Sequence, residues 1–147
     1  MKNIITILVV GKGGKTSPLL TSFACLIGTM AEDLLGYGIV EARCSTYKNA
    51  IFESEYHAVV IFDSHDDNSP FDAELEAKHT YEDVKSVNKR KPTFFVSCRV
   101  RNNNEGRVYQ GHWGHWVHPK DLIQIPFDGK KVVKRILNKI NGVRISA

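Results

Sequence analysis

Three short runs, apolar at nearly every position, constrain this chain more than any other feature. Residues 1–10 carry Ile4, Ile5, Ile7, Leu8, Val9 and Val10; residues 58–62 read Ala-Val-Val-Ile-Phe; residues 92–96 read Pro-Thr-Phe-Phe-Val. A strand that is apolar at successive positions, not only at alternate ones, has to be covered on both faces. That is the condition of a parallel sheet with helices packed on each side. The intervening segments keep the helical period instead. Leu20, Phe23, Ile27, Met30 and Leu34 recur at spacings of three and four and make one apolar stripe.

Strand and helix alternate along the rest of the chain. Thr16 or Ser17 is placed to cap the first helix and Pro18 to occupy its first turn, while Gly36 and Gly38 stop it. Residues 39–44 read as a second strand and 46–54 as a short helix. After the third strand at 58–62 comes a polar loop, then a charged, weakly amphipathic helix over 71–87. The fourth strand ends near Ser97 and Cys98. Residues 99–120 break the rhythm and read as a long loop or a hairpin, with 99–101 set against 107–109. A fifth strand is expected at 122–125. A closing helix over 129–140 buries Val132, Val133, Ile136 and Ile140. The expected fold class is therefore α/β: one doubly wound, five-stranded parallel sheet in a three-layer sandwich, a single domain over 1–147. In such folds ligands sit beyond the C-terminal ends of the strands.

Charge is divided unevenly. Residues 1–84 hold 6 basic and 13 acidic side chains, residues 85–147 hold 14 and 3, a balance of −7 against +11. The two halves fall on different edges of a doubly wound sheet, so the folded molecule should be electrically polar. Its basic side can attract phosphate groups, an acidic partner or another copy of the chain; solvated helix faces that merely cluster produce the same count. No apolar run approaches the roughly 20 residues that span a bilayer. Met1-Lys2-Asn3 leads straight into strand residues without a small-residue cleavage site. Cys25, Cys44 and Cys98 lack Cys-x-x-Cys spacing and read as buried free thiols. The expectation is a cytoplasmic protein without a membrane segment.

A family resemblance rests on four segments in order. Ile7-Leu8-Val9-Val10, His57 through Asp63, Phe94-Phe95-Val96-Ser97 and Ile125-Pro126-Phe127-Asp128 resemble the ordered signatures of two-component receiver domains, which have the flavodoxin-like fold. The resemblance implies a phospho-accepting role for Asp63 and a hydroxyl role for Ser97. Two other family features are missing. Gly11 and Lys12 stand where an acidic pair would be, and Ile125 stands where a lysine would be. Phosphoryl transfer to Asp63 needs a divalent cation held by several carboxylates, and Lys12 puts a positive charge in that space. The resemblance thus implies a pseudo-receiver that keeps the scaffold without the switch. A carboxylate that only caps a loop or helix is the alternative for Asp63.

Other segments suggest other chemistry. Lys12, Gly13, Gly14, Lys15 and Thr16, at a helix start, read either as an anion site or as a plain tight turn. A Walker A loop would need its first glycine at Val9, so that motif fails. The turn also resembles the FMN phosphate loop of flavodoxins, without an aromatic pair for the ring system, and the IIB components of sugar phosphotransferase systems, without their cysteine after strand one. Residues 68–75 resemble a stretch of TIR domains, which implies Glu74 as the catalytic residue of an NAD-cleaving enzyme; a solvated helix residue is the other reading. Trp113 and Trp116, interleaved with histidines and followed back to Arg99 and Arg101, can stack on a nucleotide or nucleic acid, or can simply lid the sheet.

Taken together these readings favour a non-catalytic binding module with no cofactor and no metal. Its site would lie at the strand C-terminal edge, built from Lys12, Lys15, Asp63, Ser97 and the 99–118 segment. The expected partners are a protein, a second copy, or a phosphate-bearing small ligand or nucleotide. Two alternatives remain: a TIR-like enzyme acting through Glu74, and a nucleic-acid-binding module using the basic half.

Overall fold

A computed structural model describes residues 4–63, 70–97, 117–118, 120–124, 128–140 and 143, with the backbone alone at 70–75, 97 and 124. Five strands, β1 (Ile5–Val10), β2 (Val40–Ser45), β3 (Ala58–Phe62), β4 (Thr93–Ser97) and β5 (Leu122–Gln124), alternate with four helices, α1 (Pro18–Leu35), α2 (Tyr47–Ala50), α3 (Pro70–Val87) and α4 (Gly129–Asn138). Every strand pair is parallel and the spatial order is β2-β1-β3-β4-β5. This is the doubly wound, flavodoxin-like order, with its switch point between β1 and β3.

The apolar strand runs divide their residues between two layers. Ile7, Val9, Val60, Phe62, Phe94 and Val96 face a core built with α1 and α4. Leu8, Val10, Val59, Ile61 and Phe95 face the other core, with α2 and α3. Adjacent strand residues point to opposite faces, so both sets can be buried only because helices lie on both sides. Ring contacts tie the layers to the sheet: Phe23 meets Phe62 edge-on at 4.8 Å, and Tyr81 meets Phe95 edge-on at 5.9 Å. Gly129 admits a close approach between helices, since a Cβ there would lie 3.0 Å from Leu26 of α1.

Element limits differ from expectation in places. The helix expected over 46–54 shortens to one turn, Tyr47–Ala50, with Thr46 accepting a capping bond from the Asn49 amide at 3.2 Å. Ser17, not Thr16, caps α1, and Pro18 takes its first position. Cys25 is exposed and Cys44 half-buried, so the expectation of buried thiols fails for Cys25. α1, at 18 residues, is the one helix among the described residues with the length and apolar composition to cross a membrane. Here Leu20, Phe23, Ile27 and Ala31 spend its apolar stripe on the sheet. The hairpin or loop expected at 99–120 lies outside the described residues apart from positions 117, 118 and 120.

The topology also separates charge. β2, β1 and β3 come from the acidic first half of the chain, β4 and β5 from the basic second half. A sequence asymmetry becomes a spatial one across the width of the sheet.

Candidate functional site

At the C-terminal edge the strand register gathers several of the expected residues. Val10 pairs with Ile61 and Phe62 with Val96. Asp63 therefore lies level with Ser97, and its amide donates to the Val96 carbonyl at 3.2 Å. Lys12 through Thr16 stand on the other side of β3, at the topological switch point. The described part of the expected site is thus assembled at one edge. Arg99, Arg101, Trp113 and Trp116 lie outside the described residues. Glu74 falls within the backbone of α3, and its side chain lies outside the described part of the chain.

The glycine turn differs from an open phosphate cradle. Gly13 and Gly14 have φ of 86° and 51°, and a single 3-10 turn, Gly14–Thr16, leads into α1. Three amides that an anion would use are already committed within the turn. Gly14 donates to Gly11, Thr16 to Gly13 and Ser17 to Gly14. The Thr16 hydroxyl also donates to the Gly13 carbonyl at 2.8 Å. Gly14 is buried against Ser45 and Thr46, where a Cβ would meet atoms at 3.1–3.2 Å. The Lys12 and Lys15 side chains remain exposed above it. Lys15 acts on the end of β2: burial and Cys25 push the Cys44 thiol up, while Lys15 pulls it down. The net direction is upward, so Cys44 is not an activated nucleophile.

Asp63 is fully buried, at 0% exposure. Beside it the Tyr47 hydroxyl donates to the Phe62 carbonyl, fixing α2 over the end of β3. Among the described residues no three His, Cys, Asp or Glu side chains converge as a metal-binding group.

A second site lies at the opposite, N-terminal edge of β4 and β5, where sequence reasoning did not place one. A cleft of about 340 Å³ opens between the end of α3, the start of β4, the 118–121 turn and the end of α4. Lys85, Lys89, Arg90, Lys91, Lys120 and Lys139 ring it, with Asp121 their one carboxylate. Sequence signals for it existed: the run Lys89-Arg90-Lys91 and the excess of 14 basic over 3 acidic residues after position 84. Neither revealed that three separate segments converge.

Its floor is a hydrogen-bonded latch. Tyr81 donates to Asp121 at 2.6 Å, Lys85 donates to both Tyr81 and Asp121, and the His118 amide donates to Tyr81 at 3.3 Å. Burial and the Asp121 bond push the Tyr81 phenol above its ordinary value. Burial opposes the Lys85 cation, but the bonds to Asp121 and Tyr81 prevail and raise its pKa. Arg135 on α4 donates to the Leu122 carbonyl at 3.0 Å and to that of Lys120, and stacks over Phe94. Lys91 reaches the Ser54 carbonyl and lies 4.5 Å from the Tyr56 ring. Lys89, Arg90, Lys120 and Lys139 have no ion-pair partner among the described residues.

Compared with models of known protein families, with curated proteins and with solved structures, the chain has no significant match.

Proposed function

We propose that this chain is a non-catalytic, receiver-like module that works by binding an anionic ligand or partner. It does not transfer phosphoryl groups. The observation that carries this reading is the complete burial of Asp63 at the end of β3, beside a turn that holds Gly11 and Lys12 in place of acidic residues. A phospho-accepting carboxylate must meet both its donor and a divalent cation. A carboxylate with no accessible surface meets neither. The flavodoxin-like strand order supports the scaffold half of the reading, and the cleft of six cations supports the anion-binding half.

Incubation with acetyl phosphate and Mg²⁺, followed by intact-mass measurement, tests the reading directly. The expected mass is unchanged. A single added phosphoryl group that disappears in Asp63→Asn would overturn it. Incubation with NAD should release no nicotinamide; release that is lost in Glu74→Ala would assign the chain to the enzyme class instead.

A further inference from the structure

The cleft at the N-terminal edge holds more positive charge than the fold requires. α3 and α4 both end beside it, and two helix C-termini supply about one negative charge between them. Asp121 supplies another. Against the six cations this leaves roughly four positive charges unmatched by any group that lines the cleft itself, with Glu82 flanking Lys85 and Lys89 on the adjoining surface. Cations gathered around one opening repel each other; packing accounts for Lys85 and Lys91, which bond Asp121 and the Ser54 carbonyl, but not for Lys89, Arg90, Lys120 and Lys139.

The form of the cleft selects its ligand. A small anion is typically held by buried donors that converge on it. Here Lys85, Lys89, Arg90, Lys120 and Lys139 are exposed, and each such contact is weak and screened by salt. They become effective together on a ligand that carries many phosphates and releases counterions as it binds. A protein partner would need an apolar anchor at the centre of the contact. Phe94 and Tyr81 are 1% and 2% exposed and offer none. The same burial closes both rings to base stacking. On α4, Lys131 precedes Lys139 by eight residues, about 12 Å along the same side of the helix, and continues the row of charge away from the cleft.

We propose that this cleft and the adjoining side of α4 bind nucleic acid through its phosphodiester backbone, without reading base sequence. The inference builds on the anion-binding half of the reading above and is independent of the fate of Asp63. Phosphorylation of Asp63 would end that reading and leave this one standing.

Fluorescence anisotropy of a labelled, mixed-sequence single strand, titrated with the full chain across a KCl series, supplies the test. About four phosphate contacts should give a slope of log affinity against log salt near −3. Lys89→Glu combined with Arg90→Glu should weaken binding at least about tenfold at low salt and flatten the slope by at least about one, while the chain stays folded, with a melting temperature lowered by no more than about 5 °C. A shuffled strand should bind equally well. Binding that survives the double substitution, or a slope shallower than about −1, would overturn the proposal. Competition by polyglutamate equal to that by unlabelled strand would overturn it in favour of an acidic protein. Competition by inorganic triphosphate at equal phosphate concentration would overturn it in favour of a small ligand.

Discussion

Gly14 and Tyr81 show how single residues set the two edges of the sheet. Gly14 combines a φ of 51° with contacts that leave no room for a side chain. Gly14→Ala should therefore lose roughly 1–3 kcal/mol, read as a lower urea midpoint with an unchanged m-value. Tyr81 and Lys85 both hold their protons more tightly in the folded chain than their ordinary values of 10.0 and 10.5. Their contribution to stability is complete below about pH 10 and fades as pH rises through the folded values. Urea midpoints measured between pH 8 and pH 11 should fall over the upper part of that range. Tyr81→Phe should flatten the fall and lower stability at pH 8 by about 1 kcal/mol. A decline as steep as in the parent chain would show that the latch does not cause it.

At the scale of elements, α4 does two jobs with one sequence. Val132, Val133, Ile136 and Leu137 bury its inner face, and Asp128 caps it by accepting from the Lys131 amide at 3.2 Å. Its basic residues differ sharply in role despite their proximity. Arg135 closes the entry to β5 through two backbone carbonyls, whereas Lys139 lines the cleft. Arg135→Ala should cost about 1–1.5 kcal/mol, because it removes the donor of two carbonyls that are only partly shielded from water. Lys139→Ala should change stability by no more than about 0.5 kcal/mol. Chemical denaturation of the two variants side by side checks both values. Equal losses would mean that Lys139 also serves the fold.

In the whole molecule the central strands β1 and β3 send side chains to both cores, so the two helical layers cover opposite faces of the same strands. Loss of either layer exposes the same strands. Phe95→Ala on one face should cost about 3–5 kcal/mol and Ile136→Ala on the other about 2–5 kcal/mol. Each should lower the protection of β1 and β3 amides in hydrogen exchange by its full stability loss, as expected when those strands open only by global unfolding. Protection that responds to one substitution alone would reveal two independent units.

The sequence by itself determined the sheet and its layers. Runs of valine, isoleucine and phenylalanine bury both strand faces, and the periods of α1 and α4 name the residues that cover them. Those signals are local, because each comes from side-chain direction within a few residues. It also put Asp63 and Ser97 at the ends of two such runs, and the pairing of β3 with β4 is what sets them level. Tertiary structure alone decided what the polar residues could do. Three amides of the glycine turn are consumed by the turn itself, and Asp63 is fully buried. Lys89, Lys120 and Lys139, about 50 residues apart from first to last, meet around one cleft because β4, β5 and two helix ends converge there. Electrostatic sites depend on distance in space, and distance in sequence carries no record of it until the strands find their order.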